Sequence, residues 1–251
     1  MDMERWRGRV ALVTGASSGI GAAVAAGLYR AGLKVAVCAR RLEKLEDVRR
    51  SLDATEEQML CMQVDLRSEE SILSMFEHIR KVWGGVDVLV NNAGLGHNAS
   101  LIDGDVGLWR EMLDVNVLAL CICTQQAVQD MLRRGQEGHV IHLSSMSGHR
   151  VPKASGVYSA SKYAVRSLTE GLRKELRERE ANIRISSISP GFVQTEFAEK
   201  YHQSKEAAEE IYGQYQTLRA EDLAETVCFV LSAPAHMQVH DILMRPTSQE
   251  S

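Results

Sequence analysis

The chain lacks any uninterrupted apolar run of the roughly 18 residues that a membrane-crossing helix needs, so no membrane span is expected. Charge of one sign is not in excess. The 29 Lys and Arg against 33 Asp and Glu leave a net charge of −4, which gives no sign of a nucleic-acid partner. Cysteine is sparse and odd in number. The five, at 38, 61, 121, 123 and 228, fit no metal-ligand spacing and mostly sit in apolar runs. They read as buried free thiols in a reducing compartment. None of the eight histidines joins a His/Cys/Asp cluster with ligand spacing, so no catalytic metal is expected. Internal repeats and low-complexity linkers are also lacking. Residues 1–10 are charged and hold no apolar signal core, and the last residues spell no retention or peroxisomal address. A cytoplasmic protein is the expectation.

What is there is regular. The 251 residues, 45% apolar, suit one α/β domain spanning 1–251 with a sizeable core. Strand-like runs at 9–13, 34–39, 59–64, 86–91, 139–144, 183–189 and 241–244 alternate with helical patterns, among them 69–82 and 157–179. Such alternation reads as βαβ units. It predicts a doubly wound, parallel sheet of about seven strands with helices on both faces. Ligands then bind outside the carboxyl ends of the strands. The stretch 191–218 is the least regular, with polar helix-like pieces at 196–201 and 205–215.

Two local patterns carry chemistry. The first is Thr14-Gly15-Ala16-Ser17-Ser18-Gly19-Ile20-Gly21, which follows the apolar run Val10-Ala11-Leu12-Val13 and opens a helix with Ile20, Val24 and Leu28 on one face. Strand, glycine turn and helix N-terminus are the setting of a phosphate-binding loop. The second is the pair Tyr158 and Lys162, four apart on one helical face. A phenol is a poor proton carrier near neutrality, and a neighbouring ammonium should pull its pKa down and fit it for acid–base work. The second strand ends Cys38-Ala39-Arg40-Arg41, 19 residues past Gly21 from Gly21 to Arg40. A carboxylate there would hold a ribose 2′-OH, whereas Arg40 can grip a 2′-phosphate, so the predicted cofactor is NADP(H). Arg41 either assists or simply opens the next helix.

The ordered landmarks Thr14 to Gly21, Asn91-Asn92-Ala93-Gly94, Asn116, Ser145, Tyr158 with Lys162, and Pro190-Gly191 with Thr195 resemble the short-chain dehydrogenase/reductase family over nearly the whole chain. Ser145 precedes Tyr158 by 13 residues. The resemblance implies reversible hydride transfer between NADP(H) and a carbonyl. It implies catalytic roles for Asn116, Ser145, Tyr158 and Lys162, with Asn116 holding a water beside Lys162 and Lys162 lowering the Tyr158 pKa. Ser144 and Ser147 are weaker candidates for the role of Ser145. It implies cofactor contacts by Gly15, Ser17, Ser18, Gly19, Ile20, Gly21, Arg40, Arg41, Asp65, Leu66, Asn92, Ala93, Gly94, Tyr158, Lys162, Pro190, Gly191, Val193 and Thr195. Asp65 and Leu66 would border the adenine.

A family member that had lost the Tyr or Lys would read as a cofactor-sensing protein; this chain keeps both. The implied substrate is a small apolar carbonyl or alcohol: steroid 3- or 17-keto and hydroxy groups, a farnesol-type terpenoid alcohol, or a small 3-hydroxy acid. Segment 191–218 would cap its cleft, with Leu95, Val151, Val157, Phe192, Val193, Phe197 and Tyr201 as candidate lining. Relatives are mostly dimers or tetramers assembled through helices at 108–131 and 157–179, so a homodimer or homotetramer is implied.

Overall fold

Strands β1 (Val10–Thr14), β4 (Val88–Asn91), β5 (Gly138–Leu143) and β6 (Ile183–Pro190) are buried at every position. This is the signature of a sheet covered on both faces. The computed structural model describes residues 2–152, 155–202, 204–213 and 216–249, and it shows that sheet. With β2 (Lys34–Ala39), β3 (Met59–Gln63) and β7 (Asp241–Met244) the order is β3-β2-β1-β4-β5-β6-β7, every pair parallel. The two edge strands β3 and β7 are the least buried, as position demands, and β2 is exposed only at Lys34.

Side-chain alternation divides the core into two layers. Ala11 and Val13 of β1 pack with Val24 and Leu28 of α1 (Gly19–Arg30) and Val227 and Leu231 of α9 (Ala220–Ser232). Val10 and Leu12 face the opposite layer. There they meet Phe76 and Ile79 of α3 (Glu69–Trp83), Ala127 and Met131 of α5 (Ala119–Arg134) and Leu176 of α6 (Gly156–Glu178). Helix α2 (Leu42–Ser51) follows β2. Helix α4 (Val106–Leu113) runs through a π turn, Asp114–Leu118, directly into α5. Short helices α7 (Phe197–His202) and α8 (Lys205–Gly213) follow β6.

All seven expected strands form, with ends displaced by at most two residues. The largest displacement is at β4, which starts at Val88 rather than 86. Val86 N–H is turned toward Asp130, and the Asp87 carboxylate accepts from Arg9, Arg134 and the Val10 N–H before the ladder begins. The helical pieces expected at 196–201 and 205–215 are α7 and α8; positions 214–215 lie outside the described residues. The five cysteines are free, and burial pushes the Cys38 thiol up to about 12. Among the described residues no helix is long and apolar enough to cross a membrane.

A candidate active site in two adjoining clefts

Strand β1 pairs with β2 on one side and β4 on the other, so the chain reverses direction of winding there. The loops leaving β1 and β4 splay apart at such a point and open a crevice at the strand ends. The first cleft, roughly 400 Å³, lies in it. Gly15 takes φ +67°, and a Cβ on it would stand 2.8 Å from Ala93 Cα. A Cβ on Gly21 would overlap the Gly15 carbonyl and lie 2.5 Å from Asn92 Nδ2. Asn92 ties the two loops together: its Nδ2 donates to the carbonyls of Thr14 (2.8 Å) and Gly15 (3.1 Å). Thr14 Oγ1 accepts from the N–H of Asn92 and of Ala93. Ser18, at the N-cap of α1, makes no side-chain bond to the helix. The first-turn N–H groups of Gly19, Ile20 and Gly21 are thus left to an anion, which the macrodipole also favours.

Ser17, Ser18, Arg40, Arg41, Asp65, Leu66, Asn92, Ala93, Gly94 and Thr195 line the same cleft. Arg40 keeps its side chain 63% exposed, with its nearest carboxylate, Glu111, 4.0 Å away. Arg41 reaches back over the glycine loop, donating to Ser17 Oγ (3.2 Å), Ser18 Oγ (3.3 Å) and Glu196 (3.2 Å). It is also the N-cap residue of α2, as the helix-start reading expects. No carboxylate ends β2. Asp65, at the end of β3, is already engaged by Arg67, whose hydrogen bonds hold its carboxyl down at about 2. The cleft thus presents two guanidiniums, that of Arg41 paired with Glu196, and no acid at the end of β2. The glycine cradle, the uncapped helix start and this pair of arginines fit a dinucleotide with a 2′-phosphate.

The second cleft, of similar volume, shares Ile20, Asn92, Gly94, Thr195 and Phe197 with the first. Ser145, Tyr158, Lys162, Pro190, Gly191 and Val193 line it. Ser145 caps a short 3-10 turn, Met146–Gly148, its Oγ accepting from Ser147 N–H at 3.1 Å. Its hydroxyl is also hydrogen-bonded to Tyr158. The Tyr158 ring is held by Phe197 (centroids 5.5 Å apart) and Tyr201 (6.0 Å) from α7. Lys162 Nζ donates to the Leu143 carbonyl at 3.0 Å and stands 5.9 Å from the Tyr158 ring centroid.

One electrostatic expectation is corrected. Lys162 was to pull the phenol down, yet burial dominates and pushes Tyr158 up to about 12, the Ser145 hydrogen bond opposing. Burial also lowers Lys162 itself, to about 8. Both groups are desolvated together, and each resists its charged form.

Asn116 stands behind the clefts rather than on their walls. Seated in the π turn and 1% exposed, it exchanges hydrogen bonds with the Leu95 backbone (Oδ1 accepting at 2.9 Å, Nδ2 donating at 2.8 Å) and donates to Ser161 at 3.0 Å. Its side chain thus clamps the loop after β4 to α6. Ser144 donates to the Lys162 carbonyl and Ser147 is buried. Thr195 Oγ1 accepts from Phe197 N–H at 3.2 Å.

Of the apolar lining expected, Phe192, Val193, Phe197 and Tyr201 are on the second cleft and Leu95 on the first. Val151 is not on either and is 62% exposed; Val157 packs in the small cluster behind Tyr158. His97 pairs with Glu111 and His149 with Ser189 and Asp241, and neither lines a cleft. Glu196, Lys200 and Tyr212 line the clefts from within the expected capping segment though none was singled out, and Arg150 and Gln249 line the second cleft with no sequence pattern to announce them. Gln249 comes from the far end of the chain, its Oε1 accepting from Phe192 N–H at 3.0 Å, a contact no local pattern encodes.

A parallel sheet with this switch point, a glycine cradle and a Ser–Tyr–Lys wall define a dinucleotide-dependent oxidoreductase class. The family model for short chain dehydrogenases matches residues 9–206, and the chain belongs to that family. It is 51% identical to dehydrogenase/reductase SDR family member 11 of Homo sapiens, across 98% of this chain and 97% of that one. It is 41% identical to farnesol dehydrogenase of Aedes aegypti, across 99% and 100% of the two chains. Among solved structures, the closed form of serine dehydrogenase complexed with NADP+ superposes with a TM-score of 0.90 at 31% identity over 96% of each chain.

Proposed function

We propose that the chain is an NADP(H)-dependent oxidoreductase that interconverts a ketone or aldehyde and the corresponding alcohol. The observation that carries this reading is that Ser145, Tyr158 and Lys162 line one cleft, continuous with the glycine-loop cleft. When bound, the nicotinamide cofactor supplies or accepts the hydride. The backbone of Gly15 to Gly21 holds its pyrophosphate, Arg40 and Arg41 its 2′-phosphate, and Asp65 and Leu66 border its adenine. Asn92, Ala93 and Gly94 let the backbone approach it. Pro190, Gly191 and Val193 shape the nicotinamide pocket, with Thr195 as a hydrogen-bonding partner.

Tyr158 gives a proton from Oη to the carbonyl oxygen in reduction and takes it back in oxidation. A phenol kept protonated by burial is suited to the first role. Ser145 donates to the same oxygen as charge develops there. Lys162 supplies positive charge beside Tyr158 and holds the cofactor ribose, and Asn116 fixes the backbone around Lys162.

Residues 1–251 act as one unit, with 191–218 capping the substrate. Phe197, Ala198 and Tyr201 of α7 on the cleft wall support this reading. With Met146, Phe192 and Val193 they suit an apolar body, so steroid 3- or 17-keto groups lead the substrate list. A farnesol-type alcohol is the second reading, favoured by the likeness to the Aedes enzyme. A homodimer or homotetramer through the α4–α5 and α6 faces completes the proposal. The test follows reduced-nicotinamide absorbance with NADPH and, separately, NADH, on estrone, a 3-ketosteroid, farnesal and a small aromatic diketone. NADPH-preferring turnover of at least one is expected. Tight NADPH binding with no turnover would point instead to a cofactor-sensing protein.

A further inference from the structure

Lys162 and Arg150 line the second cleft, and among the described residues no Asp or Glu does. Lys162 is engaged by the Leu143 carbonyl. Among the described residues four arginines have a buried Nε without a partner: Arg9, Arg150, Arg173 and Arg184. In three of them the rest of the guanidinium is tied down, Arg9 to Asp87, Arg173 to Glu170 and Arg184 to Glu137. The Arg150 side chain has no hydrogen bond or ion pair with any described residue. The half-buried Arg150 lines the cleft with its guanidinium unpaired to any described residue, and an arginine fork is shaped for a carboxylate. Met146, Pro152 and Ala198 on the same cleft wall are apolar. They also lower the local dielectric, which strengthens any ion pair formed there.

We propose that Arg150 anchors an anionic group of the substrate, a carboxylate being the simplest, carried on the same apolar body as the carbonyl that meets Ser145 and Tyr158. The proposal rests on the hydride-transfer reading above and, within the substrates the resemblance implies, favours a hydroxy or oxo acid on an apolar body over the neutral ketosteroid and farnesol-type alcohol.

The test compares short, medium and long ω-oxo acids with their methyl esters as NADPH-dependent substrates of the wild-type chain, Arg150→Met and Arg150→Lys. The acid-to-ester ratio of kcat/KM is the readout, because it cancels any loss of folded enzyme. The ratio should exceed one in the wild type at the best chain length and fall roughly ten- to hundredfold in Arg150→Met. Arg150→Lys, which keeps the charge and loses the fork, should fall in between. Added salt should lower the wild-type ratio and leave that of Arg150→Met flat. A ratio that is unchanged in Arg150→Met overturns the anchor while the hydride-transfer reading stands. If neither acid nor ester turns over, that reading fails instead. Titration of the NADPH complexes with the long oxo acid, read by cofactor fluorescence, then decides: weaker binding to Arg150→Met supports the anchor, and equal binding overturns it.

Discussion

The two clefts share five residues and are built by different means. Backbone makes the glycine-loop cleft: Gly15, Gly21, Ala93 and the start of α1 leave room by having little or no side chain, and Asn92 bolts the loops together. Side chains make the Tyr158 cleft, and they arrive from the Ser145 turn, α6, the segment after β6 and Gln249 near the far end of the chain. A backbone-built site tolerates few residue types at each position, so it leaves a strict local pattern. A side-chain-built site can be walled in many ways, so it can vary its ligand while the cradle stays the same.

The comparison breaks first at Tyr158. Tyr158→Phe removes one hydroxyl from the side-chain cleft and nothing from the cradle, so kcat should fall by about 10²–10⁴ with NADPH affinity nearly unchanged. Steady-state rates set beside a fluorescence titration of NADPH would show it; retention of most activity would remove Tyr158 from the chemistry.

Arg40→Ala probes the opposite cleft. Losing a charge-assisted contact to a 2′-phosphate should weaken NADPH binding by roughly ten- to hundredfold and leave NADH almost untouched. Equal losses for the two cofactors would mean that Arg40 acts on the fold and not on the phosphate.

Gly21→Ala tests the claim that backbone builds the cradle. The new Cβ must displace the Gly15 carbonyl, so a stability loss of about 1–3 kcal/mol is expected by thermal or denaturant unfolding, together with weaker binding of both cofactors.

A subtler link joins the clefts through Lys162. Burial holds its pKa at about 8, and an anionic cofactor placed beside it favours the charged form and raises that value. Near pH 8 the free protein is part-deprotonated and the complex is not, so NADPH binding should take up roughly half a proton. Calorimetry in two buffers of different ionisation enthalpy measures this, and proton release would refute it.

The smallest effect should come from Val151→Ala, since Val151 is exposed and off both clefts. KM values for any substrate should stay within about a factor of two, consistent with the small effects usual at exposed positions.

Legibility in the sequence followed the same division. The strand runs at 34–39 and 241–244 were readable to the residue, because burial on both faces or at a sheet edge constrains composition locally. Thr14 to Gly21 was readable because only glycine fits beside Ala93 and the Gly15 carbonyl. Tyr158 and Lys162 were readable as a pair through helical spacing. The direction of the Tyr158 pKa was not, because desolvation depends on Phe197 and Tyr201 closing over the ring from a segment some forty positions on. Asn116 was legible as a site residue, and its clamp on Leu95 was not.

By itself the sequence determined the layered sheet, the cradle and the spacing of Ser145, Tyr158 and Lys162. Each depends on residues close together in the chain or on the period of one element, where sterics and hydrophobic periodicity act directly. The tertiary structure alone decided which walls face the Tyr158 cleft, that Val151 turns away, and that the Arg150 guanidinium on that wall is unpaired among the described residues. Those outcomes are contacts between distant segments, and they are set by how the whole core packs rather than by any stretch of it.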